Sequence, residues 1–556
     1  MKLVKLISCA FMLSGLIGAS AQTCSGGSCT AASCNTSDVQ KCINSTSEAG
    51  TCTIPPGSCT WTSGVTISGK GMNLAGSGSG RIIATSTTKL ASIGAGTQTW
   101  TLTSARVDGT FPLGPNAGQT LTVYETGTSG NYMTGTVSSF NSSTGSLVMN
   151  ITSSAGTCAD NSLSNCSRWL ITTQPSTTII NNTAGGEGSG GAIVLTEDTS
   201  FNSSISGIQF GNSTNSGTGD YIEIEYNSSG VPVLIHDNWF RLGSGSGSGI
   251  FSGAIRGVVW NNSFDASPYA GAEEAVQQSS TSVNTWTTPS FWGASDATGT
   301  HALYVETNDF HALQNTFDND NNGRLVFRYN IMDNASATTH GADSSSFGER
   351  YFEYYNNINS WFDDGTGATF DLGHGWILVR GGTFVAFNNT FTPISGYYNG
   401  PFLDLTVQNL NRNSGPDPCW GAGQATPAGQ NYHAPRQVGF GYVTGLGTAS
   451  YTAVSPNPTL SVNGANDSIT YVGDSEPAYA WNNTPAATVS VSDYSPTACS
   501  GGDSSVNYIE SGRDYFANTA KPGYTPYTYP HPLTGITSSA PSPPVNVTAT
   551  PNQPTQ

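Results

Sequence analysis

The chain has 556 residues, only 10% of them charged, with 67 glycines and a formal net charge of -18. That length allows more than one domain and a large core, and an aromatic share of 10% excludes a disordered chain. No basic patch is visible to neutralise phosphates, which argues against nucleic acid as a partner. The acidity serves solubility outside the cell; calcium is the sharper alternative, but no acidic loop motif supports it, so no cofactor is expected.

The chain opens with MKLVKLISCAFMLSGLIGASAQ, where Lys2 and Lys5 precede an apolar run and Ala19-Ser20-Ala21 forms a small-residue cleavage site. Residues 1–21 therefore read as a secretory signal peptide cleaved after Ala21, and a secreted, extracellular protein is expected. The apolar run is too short for a membrane span and no other segment matches it, so no membrane insertion is expected. Of the 11 cysteines, Cys9 lies in this leader, which leaves an even number for an oxidising compartment. Cys24, Cys29, Cys34, Cys42, Cys52 and Cys59 cluster, Cys158 and Cys166 form a local pair, and Cys419 and Cys499 complete the set. Disulfides are the expected use, in a pairing the spacing leaves open. Zinc is disfavoured, because the cluster contains no histidine and no C-x-x-C.

From Ser37 to Gly80 runs SDVQKCINSTSEAGTCTIPPGSCTWTSGVTISGKGMNLAGSGSG. Val39, Cys42 and Ile43 fall on one helical face, with Ser37 or Asp38 placed to cap. The stretch resembles the opening segment of the pectin lyase-like right-handed β-helix superfamily, in which a short amphipathic helix closes the end of a stack of strands. The resemblance implies a Cys-rich cap and first coils over 22–80. GAIVLTEDTSFNSSISGIQF (Gly191–Phe210) reads as further coils.

Between these segments the series is interrupted. Residues 89–172 carry IGAGTQT, NYMTGTVSS and LVMNITSSAG. They resemble a small all-β module found in tail-associated proteins of phages and their relatives, which places an inserted module at 81–174, with Cys158 and Cys166 stapling its last hairpin.

An internal repeat follows. VLIHDNWF, GVVWNNSF, LYVETNDF, VFRYNIM, FEYYNNI and FVAFNNTF each end a strand-like run in Asn, with a large apolar residue two positions later in the first five and three later in the last. Aligning Asn238, Asn262, Asn308, Asn330, Asn356 and Asn388 gives a period of about 22–26 residues, that of a parallel β-helix whose rungs, each too thin to bury a core, stack at about 4.8 Å. At such a bend Asn tolerates unusual backbone angles and bonds along the stack. The fold expected is therefore all-β: a right-handed, single-stranded parallel β-helix over 175–535 with an inserted small antiparallel β-domain. A flexible Pro-rich tail follows at 536–556, where APSPPVNVTATPNQPTQ resembles the linker and first strand of a fibronectin type III domain. HGADSSSFGERYFEYYNNI, GWILVRGGTFVAFNNT and GRDYFANTAKPGYTPYTYPHPL are similar to a family of secreted bacterial β-helix proteins without a settled activity.

Counting back from each Asn sorts the faces, because strand side chains alternate. Positions three and five before it (Ile235, Val259, Val305, Phe327, Val385; Val233, Leu303, Leu325, Tyr351) should face the core. His236, Trp260, Glu306, Arg328 and Tyr354, two before it, should face outward, as should a column of Arg256, Arg324 and Arg350. Glu353 breaks the rule by falling at a core position.

Enzymes of the superfamily that the opening segment resembles cleave acidic polysaccharides. Asp363-Asp364 and Gly373-His374-Gly375 resemble two polygalacturonase motifs, but ten residues separate Asp364 from His374, less than half a coil, and the Asn-Thr-Asp and Arg-x-Lys motifs are absent. The Arg-x-Pro-x-x-Arg motif of common pectate lyases is missing too. A lyase requires a base and positive charge to hold a uronate as it becomes enolate-like. Arg328, Arg350, Arg324, Glu306 and His340 are the catalytic candidates, although an Arg328–Glu306 surface ion pair accounts equally for those two residues. His340-Gly341 is similar to a His-Gly near the cleft of some alginate and chondroitin lyases. Arg256, Trp260, Trp286, Trp292 and Tyr354 are the substrate-binding candidates, with ring faces available for sugar stacking. The function expected is binding of an extracellular, uronate-containing polysaccharide, with lyase-type cleavage as its extension; a non-enzymatic adhesin or surface-structural protein is the rival.

Overall fold

A computed structural model describes residues 21–102, 115–125, 131–157, most of 166–405 apart from intervening segments, 438–439, 476–491 and 509–535. The chain is a right-handed parallel β-helix interrupted by an antiparallel barrel. Each full coil contributes one strand to each of three sheets. The coil of Leu303–Glu306 (sheet 1), Asp309–Leu313 (sheet 2) and Asn315–Asp320 (sheet 3) is followed by that of Arg324–Arg328, Ile331–Ala335 and Ala337–Thr339. Within the coils, all pairings between successive rungs are parallel and in register. The core is filled by apolar side chains from all three sheets, and on sheet 2 successive rungs align Phe210, Phe240, Phe264 and Phe310, whose rings stack at 5.0, 4.6 and 4.9 Å.

The end of the stack is closed as the pattern predicts. Helix Thr36–Ser45 buries Val39, Cys42 and Ile43 on the first coils. Its N-cap is Asn35, two or three residues before the expected Ser37 or Asp38. Asp38 instead sits in the first turn, where its carboxylate complements the helix dipole and accepts the Ser33 hydroxyl at 2.7 Å. Cys34–Cys59 and Cys42–Cys52 tie this cap to the first rungs, and Cys24–Cys29 joins the terminal hairpin. Cys166 is also disulfide-bonded; Cys158, Cys419 and Cys499 lie outside the described residues.

The bend between sheets 1 and 2 is built from Asn238, Asn262, Asn308, Asn330, Asn357, Asn389 and Asn483. In each of the first six, the side-chain N–H bonds the next coil's Asn Oδ1 at 2.9–3.2 Å. The backbone N–H of each bonds the same oxygen at 2.9–3.0 Å. The second side-chain N–H reaches a carbonyl of the preceding coil, as Asn357 does with Phe327 at 3.1 Å. The residue before each Asn takes the left-handed conformation, from Asp237 at φ 55° to Asn482 at φ 51°.

This division of labour corrects the register at two rungs. Where the sequence reads Asn-Asn, the first residue takes the strained turn and the second joins the ladder, so Asn357 and Asn389 replace Asn356 and Asn388. Every residue of those rungs shifts by one. Tyr354, expected outside, lies in the core, stacked on Phe327 at 5.3 Å. Tyr351 and Val385, expected inside, pack on the outer face. Glu353 leaves the core positions and pairs with Val326 and Val385 on the outer face. The arginine column breaks as well: Arg324 pairs with Tyr351, so Arg350 is set back by one residue.

The interruption is a six-stranded antiparallel sheet, from Ile82–Ser86 and Gly96–Thr101 to Trp169–Thr173, whose edges meet at a Ser86–Leu102 bridge. It has its own core around Trp100, Val123, Met149 and Trp169. Ile82, Leu170 and Tyr124 seat it on Trp239 of sheet 2.

The two asparagines of one rung should respond differently to substitution. Asn356→Gly removes only a turn residue in a conformation that glycine adopts freely, and should cost less than about 1 kcal/mol. Asn357→Ala orphans buried groups on both neighbouring coils and should cost on the order of 3 kcal/mol. Chemical denaturation of the two variants measures this; equal costs would contradict the register.

Candidate functional site

The outer face of sheet 1 brings most of the sequence-derived candidates together, but under cover of the chain itself. Segments 290–302 and 521–535 lie across it. Arg328 is fully buried and uses all five of its N–H groups. Nε and Nη2 meet Glu306 Oε2 at 2.8 and 2.7 Å, Nη1 donates to Tyr355 Oη and the Tyr527 carbonyl at 2.8 Å each, and Nη2 donates to the Thr528 carbonyl at 3.0 Å. The remaining oxygen of Glu306 accepts the His531 N–H at 2.8 Å. A guanidinium so engaged has no donor left for a ligand. The pair exists, as one reading of the sequence held, but in the interior rather than on the surface.

The neighbouring candidates serve the same closure. Glu353 accepts the Gly293 N–H at 3.0 Å and the Tyr524 hydroxyl. Tyr529 stacks on Tyr329 at 3.6 Å. Arg350 pairs with Glu476 at 2.9 Å, and Trp292 donates to the same carboxylate at 2.7 Å while Lys521 lies over its ring. Arg324 is buried between the rings of Phe291 and Tyr351. Trp260 stacks on His236 at 4.2 Å and is nearly buried. Arg256 is half-buried, with Asp296 the acid that acts on it. His340 and Trp286 lie outside the described residues, as do Asp363, Asp364 and His374.

Sheet 2 carries a second outer column, three residues after each ladder asparagine: Arg241, Asp265, His311, Asp333 and Ser360, in register on successive rungs. Sequence reasoning passed over it, although the same count that found the core phenylalanines, extended by one residue, reads it out. Arg241 lies over the rings of Tyr124 and Trp239 at 4.9 and 5.3 Å, and its Nε stands 3.9 Å from Asp265 Oδ2. Tyr132 stands 6.3 Å from Tyr124. Arg241 keeps 26% of its side chain exposed and, among the described residues, donates no hydrogen bond from that side chain. Burial raises the Tyr124 hydroxyl above its ordinary range, Asp265 and Tyr132 adding to the rise and Arg241 opposing it, so that hydroxyl belongs to the same group. The half-buried seam between barrel and β-helix thus holds two tyrosine rings, an arginine with unused donors and a carboxylate.

Deeper along the column, His311 Nδ1 is 3.3 Å from Asp333 Oδ2. Burial alone would lower the imidazole pKa. The adjoining Asp333 carboxylate, with Asp309 and Asp265 beyond it, outweighs burial and raises it above 6.5. Among the described residues no group of three or more His, Cys, Asp or Glu is arranged to hold a metal ion, and no helix is long and apolar enough to cross a membrane.

No protein-family model matches the chain, and no curated protein sequence matches it. Among solved structures it is similar to the Gp54 tailspike of Acinetobacter baumannii bacteriophage AP22, determined in complex with A. baumannii capsular saccharide. The identity is 13% and the TM-score 0.18, over 67% of this chain and 59% of the tailspike chain. The chain therefore spans about three-fifths of that tailspike's length, and a likeness this loose carries no functional argument.

Arg328→Ala should leave Glu306 buried without its partner, cost roughly 3–5 kcal/mol and loosen segment 521–535. Faster chymotryptic cleavage after Tyr524 or Tyr527 reports the loosening; an unchanged digestion rate would remove Arg328 as its clamp. For His311, a raised folded-state pKa means stabilisation that is complete below about pH 6.5 and lost as pH rises through the folded value. Imidazole titration followed by NMR should show a midpoint above 6.5 that falls in Asp333→Asn.

Proposed function

We propose that the protein binds an extracellular polysaccharide in the seam between the barrel and sheet 2. The observation that carries this reading is Arg241: a partly exposed guanidinium with unused donors among the described residues, set on Tyr124 and Trp239 and beside Asp265. Sugar recognition needs a flat apolar face for the ring and polar groups for its hydroxyls, and the seam supplies both. The β-helix adds a geometric match, since its outer columns repeat every ~4.8 Å along a straight line and suit a linear polymer of repeating units. The opening segment's resemblance to the pectin lyase-like superfamily supports the same substrate class, and the leader-like N-terminus and the disulfides support an extracellular setting.

Elimination on a uronate polymer is the second reading. It would use Arg241 to hold the carboxylate, because Arg328 has no donor to offer. The carboxylates of Asp265, Asp309 and Asp333 along the same column weigh against it. A purely adhesive protein would bind in the same seam and release no product.

Affinity electrophoresis through gels containing uronate-rich or neutral polysaccharides tests the binding. The parent protein should be retarded by at least one of them, and Arg241→Ala and Tyr124→Ala should each weaken retention roughly tenfold, the scale of a lost charge-assisted hydrogen bond or stacking contact. Undiminished retention in both variants would place the binding surface elsewhere.

A further inference from the structure

Beyond Arg241 the sheet 2 column contains groups that binding alone does not use. Asp265, His311 and Asp333 occupy consecutive rungs and are 1%, 3% and 5% exposed. Asp309, two residues before His311, lies on the same face of its strand. Buried polar atoms are normally bonded, yet among the described residues His311 Nε2 has no hydrogen-bond partner, and neither has Asp333 Oδ2 beyond its ion pair with Nδ1. A buried imidazole anchored on one side by a carboxylate and unoccupied on the other is a donor held for something that is not protein. On the outer face of sheet 1, by contrast, Arg328, Glu306 and Glu353 are bonded to one another, to Tyr355 or to the covering segments.

We infer that this column is a hydrolytic site, in which His311 and Asp265 cleave a glycosidic bond between uncharged sugars of the polysaccharide that the seam binds. The inference rests on the binding proposed above and names its chemistry. His311 Nε2–H gives its proton to the glycosidic oxygen as the bond from that oxygen to the anomeric carbon breaks. Asp265, one rung away, takes a proton from a water whose oxygen bonds to the same carbon. One water is consumed, the leaving sugar gains a hydrogen, and the other sugar gains a hydroxyl and becomes a reducing end. The proton on Asp265 and the vacancy on His311 are then restored by exchange with solvent, and no further reactant is required. Asp333 is a positioning residue: it fixes the imidazole through Nδ1 and favours its charged form. Three carboxylates around a single imidazole repel uronates at the point of cleavage, hence the uncharged sugars.

The test uses the full protein on dextran, galactomannan and other neutral polysaccharides, with polygalacturonate as the charged control. Reducing ends should appear with a neutral polymer that the protein binds, without the ultraviolet absorbance of an unsaturated end. His311→Asn should cut turnover by about a hundredfold or more, the scale of a lost general acid, while retention in the gels stays at the parent level. Asp333→Asn removes one of the negative charges facing His311 from the neighbouring strands; Asp309 and Asp265 remain, with Arg241 opposing them. The upper limb of its pH–rate profile should move to lower pH, a change that mere loss of packing would not produce. Retention without any reducing ends overturns the inference and leaves the binding proposal standing. Full activity in His311→Asn, or unsaturated ends as the product, also overturns it. Absence of retention on every polymer defeats the binding proposal, and this inference with it.

Discussion

The fold depends on one repeated interaction, the bonding of each ladder asparagine to the next coil's. A coil of a β-helix has no core of its own, and its bend exposes backbone groups that sheet pairing cannot reach. An amide side chain solves this because it carries acceptor and donor together: Oδ1 takes two N–H groups from the preceding coil, and Nδ2 gives one hydrogen along the stack and one back to a carbonyl. Aspartate would lose the donors and leucine would lose everything. Being fully buried and mutually bonded, the ladder fixes the register of every strand that enters it, and a slip of one residue would exchange core for surface along a whole rung.

Register in turn decides what each charged residue can do. Arg328 and Arg241 are both outward-facing arginines on neighbouring sheets, each near a carboxylate. They differ in what lies over them. The chain's last described segment returns across sheet 1 and, together with Glu306 and Tyr355, takes every donor of Arg328, making it an internal clamp. The barrel meets sheet 2 at Trp239, and Arg241 beside that contact retains donors among the described residues. Position on the strand makes an arginine outward; only the covering segments decide whether it is available.

The two faces also differ in how charge is treated. On sheet 1, Glu306 and Glu353 are each matched with donors from the covering segments, as buried acids must be if folding is to tolerate them. Along sheet 2 the acids outnumber the cations, and one imidazole nitrogen stays unbonded. Such an imbalance costs stability and suits a surface that completes its bonding with a ligand.

Much of the fold was legible in the sequence, because stacked rungs repeat their local chemistry. The period of the asparagines, the apolar residue two positions after most of them, the amphipathic helix near the N-terminus and the interruption of the coil series at 89–172 are all local signals, and each corresponds to an element of the structure. At two of the Asn-Asn rungs, Asn356-Asn357 and Asn388-Asn389, the register was not legible: either residue fits the turn, and only the partner one coil away selects the second. That single ambiguity misplaced Tyr354, Glu353 and Arg350. The site was less legible still. Sequence could show that Arg324, Arg328 and Glu306 share a face, since alternation is a property of one strand. It could not show that residues 521–535, some two hundred positions later, lie on that face, nor that Tyr124 of the barrel meets Arg241 of the β-helix. Strand periodicity and turn chemistry act between neighbours and are written locally; coverage and availability arise from contacts between distant segments, and the tertiary structure alone decides them.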